Sequence, residues 1–442
     1  MRKDDTDKNS CQFEKGEALK QVWRTAGPYR KQPIDRESAS CPISRIVALA
    51  IAVIAAAIIA ARAGEVRAAD EDAPLLGVRE GWAWPAVVIQ PAEGWESDTG
   101  VSIKYAMRAA EREISVQRDA IKGREITFMF SDLSDAGELP RRLATWRAMK
   151  VYVIVSFAGD EINRPLMELC GSGGPSLLLA GGEEAKIRDP ETGHPYQYLF
   201  ALDLPYYARA NALASAAAAE RPERRVAVIT DILSEKLARG AELNVGFLRS
   251  GGADALDLSL AAYRQDQFTP QVNDAIKGGY RVFTSWLDAM ATLSIWQSSA
   301  RRDPLVSVFY SGDRQKILLD AAGMALVDKD VLLERNERGK RDIILKIRDY
   351  FDRIPGDPVT AAKAYALGRW AIGAYASAAA AAGADIASEL GRAKDIPLMD
   401  ETLSIDPRTH RPRSRKFGVL RVADRNYESS GSVEVFSADA VE

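Results

Sequence analysis

Between Ala86 and Phe309, short apolar runs alternate with amphipathic or Ala-rich helical stretches, and that alternation leaves few architectures open. Strands that are apolar on both faces need helices on both sides, as in the parallel sheet of an α/β fold. Val151–Val155 and Ser176–Leu179 read as such strands. Ala86–Gln90 precedes them, as does Glu125–Ser131 with Ile126, Phe128 and Phe130 on one face. Between them, Gly100–Ser115 places Val101, Tyr105 and Ala109, and Ala106, Ala110 and Ile114, at helical spacing, and Glu138–Ala148 reads as a second helix.

A second series follows the first. The pattern predicts helices over Tyr206–Ala219, Ser234–Ser250, Pro270–Ile276 and Leu287–Ser298. It predicts strands over Arg225–Thr230, Leu256–Tyr263, Arg281–Thr284 and Leu305–Phe309. Ser234 is placed as an N-cap and Gly251-Gly252 as a stop. A long helix then begins at Asp357-Pro358, the residue types expected at N-cap and N1, with Tyr365, Trp370 and Tyr375 as core residues. Two β-rich stretches, Phe417–Val422 and Ser432–Phe436, close the chain around Asp424–Asn426. Two α/β series with a return predict two similar lobes joined by several crossings, with a small ligand held between them at the strand ends.

Upstream lies the apolar run Ile46–Ala61, preceded by Arg45 and followed by small-residue sites at Ala61-Arg62-Ala63 and Val66-Arg67-Ala68. It is short for a membrane span and reads as an export signal at residues 46–68, with the mature protein starting near Ala69; an uncleaved anchor is the alternative. Residues 1–45 form a polar leader without periodicity, either disordered or the product of a misplaced start. The net charge is −3, with no basic block, which argues against nucleic acid as a partner. Cys11 and Cys41 fall in the leader, so Cys170 stands alone and is expected to be a small core residue. With two histidines, no metal-ligand spacing, no phosphate-binding loop and no nucleophile elbow, the chain offers no catalytic constellation, metal or cofactor site.

Several segments, taken in order, resemble the Leu/Ile/Val class of substrate-binding proteins of ABC transporters, which have the type I periplasmic-binding-protein fold. Gln90 to Gly100 is similar to the family's G-P-x-x-G-x5-G opening loop, and Gly123-Arg124-Glu125 leading to Asp132 to the step that follows. Val153–Ser156 and Pro175–Gly182 resemble the strands ending at its two ligand loops. Arg225–Asp231 resembles the strand opening the second lobe, Ala321–Met324 the A-x-G-M crossover, and Ala364–Ala374 the A-Y-D-A-V helix.

The resemblance implies two Rossmann-like lobes, parallel sheets flanked by helices, joined by a multi-crossover hinge. Lobe 1 is expected over residues 76–203 plus 328–404, and lobe 2 over 204–327 plus 405–442. It implies a periplasmic protein without enzymatic activity or cofactor, which captures a small-molecule solute and hands it to an ABC membrane permease. A sensory module of the same fold, anchored by an uncleaved signal, is the alternative, and a hydrolase working through Asp160 and Glu235 a third reading. The family's ligand contacts fall here on Trp95, Thr99, Asp160 and Ala180, Gly181 and Gly182 of the first lobe. In the second lobe they fall on Glu235, Trp286 and Phe309 or its neighbour Tyr310, with Trp286 expected on the cleft wall. Acids at 160 and 235 together with these aromatic groups would suit a cationic or hydrogen-bond-rich, partly apolar solute rather than a leucine-like amino acid. Both acids equally suit plain helix starts: Asp160 as a cap and Glu235 solvated in a first turn.

Overall fold

The computed structural model describes residues 83–115, 125–171, 173–182, 186–189, 191–231, 233–260, 265–310, 312, 315–380 and 385–437. The apolar run Ile46–Ala61 lies outside the described residues. No helix among those described is long and apolar enough to cross a membrane.

The first series builds β1 (Ala83–Ile89), α1 (Asp98–Ser115), β2 (Glu125–Ser131), α2 (Leu139–Ala148), β3 (Val153–Ser156), α3 (Asp160–Gly171), β4 (Ser176–Leu179) and β5 (Leu199–Ala201). All five strands run parallel in the order β2-β1-β3-β4-β5. β3 and β4 are buried at every position, as expected of strands apolar on both faces. On one face Ile103, Met107 and Ala110 of α1 pack against Val88, Phe128 and Val155. On the other, Leu139 and Leu143 of α2 and Ile162 and Leu166 of α3 pack against Val87, Ile154 and Leu177. Cys170 is in this second core, where burial pushes its thiol up to about 12 and leaves it inert.

The second series repeats the scheme with α4 (Tyr206–Ala219), β6 (Arg225–Asp231), α5 (Glu235–Ser250), β7 (Asp254–Leu260), α6 (Gln265–Lys277), β8 (Val282–Trp286), α7 (Ala289–Ala300), β9 (Ser307–Tyr310) and β10 (Ala325–Asp328). These five strands are parallel in the order β7-β6-β8-β9-β10, the same order as the first sheet. The return segment holds α8 (Val331–Arg335), α9 (Glu337–Phe351), α10 (Pro358–Ala380) and α11 (Ile386–Gly391). It also holds the short pairs β11 (Ile396–Leu398) with β12 (Glu401–Leu403) and β13 (Ile405–Asp406) with β14 (Arg411–Pro412). The chain ends in a long hairpin, β15 (Ser414–Ala423) and β16 (Asn426–Phe436), which joins the second sheet antiparallel to β10.

The periodic segments fall where the sequence pattern puts them, and the departures have physical reasons. β10 is four residues long and ends on Asp328, so only three apolar residues separate the Gly323-Met324 turn from the charged Asp328-Lys329-Asp330, too few for a pattern. α9 is mostly charged and buries only Gly339, Ile343 and Ile347, so its single apolar stripe is faint in the sequence. Ser234 stands at the N-cap of α5 but makes no capping bond with its side chain; the nearby Asp231 carboxylate instead accepts from Leu233 N at 2.9 Å. The strand expected over Leu256–Tyr263 starts earlier, at Asp254, and residues 261–264 lie outside the described set.

α10 anchors the first sheet. Its start is set by Asp357, whose carboxylate accepts from Thr360 N at 3.0 Å, with Pro358 at the first helical position. Trp370 Nε1 donates to Leu390 O at 3.0 Å, and Tyr375 Oη donates to Pro85 O at 3.0 Å, so both buried polar tips are satisfied. Phe200 meets the Trp370 ring edge-on at 6.0 Å. Trp370→Ala should therefore cost about 3–5 kcal/mol of stability, read as a lower denaturant midpoint with an unchanged slope.

Candidate functional site

In an open parallel sheet, ligands bind beyond the C-terminal strand ends at the point where strand order reverses. Here that point falls twice, between β1 and β3 in one sheet and between β6 and β8 in the other.

At the first switch point, the loop after β1 folds back on the start of α1. Ser97 Oγ donates to Gly94 O at 2.7 Å and accepts from Gly100 N at 2.9 Å. A Cβ at Gly100 would overlap the backbone of Gly94 and Trp95, so only glycine lets the loop close this tightly. Trp95 is mostly buried: its Nε1 donates to Ser131 O at 3.0 Å, its ring meets Phe130 edge-on at 5.2 Å, and Lys104 lies over it at 5.5 Å. Thr99 is half-buried in the first turn of α1. The loops after the next two strands run alongside, because Phe157 N donates to Ile89 O and Ala180 N to Ser156 O. Asp160 is exposed as the first residue of α3, where a carboxylate complements the helix dipole. Ala180 is half-buried, Gly181 exposed, and Gly182 left-handed at φ 98°.

The second switch point carries Glu235, exposed as the first residue of α5. Two large apolar side chains are exposed after these neighbouring strands: Leu233 after β6 is 72% exposed and Met290 in the first turn of α7, after β8, is 61% exposed. Asp288 caps α7 by accepting from Ala291 N at 2.7 Å. Trp286 departs from expectation. It is fully buried in the core beneath the sheet end, not on an open wall, because Gly240 of α5 presses against its six-membered ring and Tyr206 meets it edge-on at 5.9 Å. Its Nε1 is buried without a hydrogen-bond partner. Phe309 is likewise fully buried, with the Arg421 guanidinium over its ring at 5.7 Å, and Tyr310 is buried at the end of β9. Each sheet thus gathers its own candidates at one edge, three neighbouring strand ends in each case.

The two edges meet through charges that the sequence reading did not single out. Lys329, just beyond β10, donates to Asp203 Oδ2 at 2.7 Å, just beyond β5. Asp203 is 3% exposed, and a Cβ added at Gly181 would lie 4.0 Å from its Oδ2. Lys363 of α10 pairs with Asp330 at 2.8 Å, and Arg411 Nη1 donates to Asp203 O at 2.5 Å. Burial by itself would raise the Asp203 carboxyl, but Lys363, Lys329 and Arg415 together hold it well below the usual carboxylate range. A single charge inside the apolar stretch Leu199–Leu204 was the signal available in the sequence.

No family model matches this chain, and no curated protein matches it. Solved structures do. A putative branched-chain amino acid ABC transporter from Rhodospirillum rubrum matches with a TM-score of 0.61 and 13% identity, over 79% of this chain and 99% of that one. An ABC transporter substrate-binding protein from Desulfitobacterium hafniense, in complex with Leu, matches at 0.53 and 15%, over 78% and 99%. A periplasmic binding protein type 1 from Bordetella pertussis Tohama I matches at 0.50 and 13%, over 79% and 100%. The fold is that of the type I periplasmic binding proteins. At these identities the likeness establishes architecture and nothing finer.

His410 packs against β5, where its carbonyl accepts from Ala201 N at 3.2 Å. It sits in the β13–β14 turn at φ 55°, stacks on Phe200 at 4.3 Å, and places Nδ1 3.0 and 3.1 Å from the carbonyls of Leu199 and Tyr196. Two carbonyl neighbours require the proton on Nδ1. Burial lowers its pKa from 6.5, opposed by those carbonyls and by Asp406. A histidine lowered in the fold contributes stability that is complete above 6.5 and is lost as pH falls through the folded value. His410→Asn, which tolerates the left-handed backbone, should flatten the loss of thermal stability on acidification below 6.5. Asp203→Asn removes the buried carboxylate that Lys363, Lys329 and Arg415 share and should cost about 3–5 kcal/mol, measured by chemical denaturation.

Proposed function

We propose that the chain is an extracytoplasmic solute-binding protein that captures a small molecule between its two sheet edges and delivers it to an ABC import permease in the membrane. The observation that carries this reading is the doubled switch point, two parallel sheets of identical strand order whose C-terminal edges are tied at Asp203–Lys329. The fold it shares with proteins described as ABC transporter substrate-binding proteins supports the same role. Lobe 1 spans residues 76–203 plus 328–404 and lobe 2 spans 204–327 plus 405–442. The chain reaches the periplasm through the segment at 46–68.

The solute is contacted by Thr99, Asp160 and the Ala180–Gly182 backbone from one rim, and by Glu235 and Tyr310 from the other. Trp95, Trp286 and Phe309 work from beneath as packed supports of those rims. Leu233 and Met290 add an apolar surface, so a solute with a hydrocarbon portion fits best. Exposed large apolar side chains at a binding crevice lose their water only when a ligand covers them.

Mass spectrometry of small molecules released by denaturing the purified protein tests the reading. A single unchanged solute, near one per chain, is expected. Recovery of no solute, together with no thermal shift across a panel of small metabolites, would overturn it. Once that solute is known, Leu233→Ser and Met290→Ser should each weaken its binding by about tenfold, or about 1.4 kcal/mol. Their melting temperatures should barely change, because both side chains are already in solvent.

A further inference from the structure

At the end of the second sheet away from its switch point, the turns before β6, β7 and β9 gather arginines on one face. Arg224 before β6, Arg249 in the last turn of α5, and Arg301 and Arg302 after α7 are exposed, and Arg221 is half-buried. Arg221 is tied to the turn before β9, because its Nη2 donates to Leu305 O, while its Nε is buried without a hydrogen-bond partner. Most acids of this face are already paired: Asp254 with Arg225 at 2.9 Å, Asp303 with Arg281 at 2.8 Å, Asp274 with Lys277 at 3.0 Å, and Glu220 with Arg421. Among the described residues the five arginines make no ion pair, and Glu223 is the one acid at these turns left without a partner. Asp424 and Glu428 lie on the hairpin at the other edge of the sheet. The ends of α5 and α7 favour positive charge, so Arg249 and Arg301 need no carboxylate to stay there. Leu305 is 56% exposed in the turn that follows Arg301 and Arg302; its N donates to Asp303 Oδ1 at 2.9 Å and its O accepts from Arg221, so the backbone is fixed and the side chain is left to solvent.

We propose that this face docks on an anionic lipid bilayer, with Leu305 entering the headgroup layer and Arg221, Arg224, Arg301 and Arg302 meeting lipid phosphates. All the unpaired cations are arginines, whose planar forks match phosphate oxygens. An apolar side chain standing among cations suits the boundary between headgroups and acyl chains, and an anionic leaflet attracts each cation near it. Single-stranded nucleic acid would need an open aromatic platform, and the one aromatic ring at these turns, Tyr280, is covered by the Arg225 guanidinium at 4.3 Å. No basic block marks the face in a chain of net charge −3, because its arginines come from three turns far apart in sequence. The cleft rims lie at the opposite ends of the same strands, so a chain resting on lipid by this face still admits solute. The inference goes beyond solute capture and does not depend on it.

Cosedimentation of the full chain with vesicles of phosphatidylglycerol and of phosphatidylcholine tests this. The expected result is stronger binding to phosphatidylglycerol, with the excess lost as salt is raised. Arg301→Gln combined with Arg302→Gln should weaken that binding by roughly tenfold or more, with an unchanged melting temperature. Leu305→Ser should weaken it while keeping the salt dependence. The upstream apolar run is the same in parent and variants, so these differences belong to this face. Equal binding to both lipids, no binding to either, or either variant binding phosphatidylglycerol as the parent does would overturn the proposal. Poly-glutamate that displaces the protein from the vesicles at equal charge would also overturn it, and would assign the face to an acidic protein instead.

Discussion

The buried ion pair between Asp203 and Lys329 is the contact on which the rest of the geometry depends. Each residue follows the last strand of its parallel series, so the pair ties the C-terminal edge of one sheet to that of the other. Burying two charges is expensive, and the arrangement holds because further cations and the Arg411 bond to the Asp203 carbonyl surround the carboxylate. Such a pair gains little stability over an apolar packing. Its value lies in direction, because a charge pair fixes which edges face one another where an apolar contact could slide.

Around that tie the molecule repeats itself. Both sheets use the order that starts in the middle and reverses, and both place acids at helix starts beside the reversal: Asp160 in one, Glu235 in the other. These acids sit where helix dipoles favour negative charge, so they are stable there without any ligand and free to meet one. The first rim is braced by a tryptophan with its indole nitrogen satisfied. The second rests on a tryptophan whose nitrogen has no partner.

Much of the architecture was legible in the chain because periodicity reports which faces are buried. Strands β3 and β4, the Ala-rich α4 and the start of α10 at Asp357 follow directly from that signal. Elements with a weak signal were missed: β10 is four residues long, and α9 shows three inward positions among many charges. Among the candidate site residues, position along the chain located the rims but not the depth of each side chain. Trp286 and Phe309 are core residues because a glycine at 240 and an arginine at 421 close over them, and no local pattern announces either contact.

By itself the sequence determined the two α/β series, the helix starts and the strand ends from which loops emerge, since each depends on residues close together in the chain. Only the tertiary structure decided that Lys329, Lys363 and Arg415, the last more than two hundred positions away, gather around the buried carboxylate of Asp203. Charge clusters of this kind have no period and no spacing rule. They exist only once the sheets have brought distant turns together and removed the water between them.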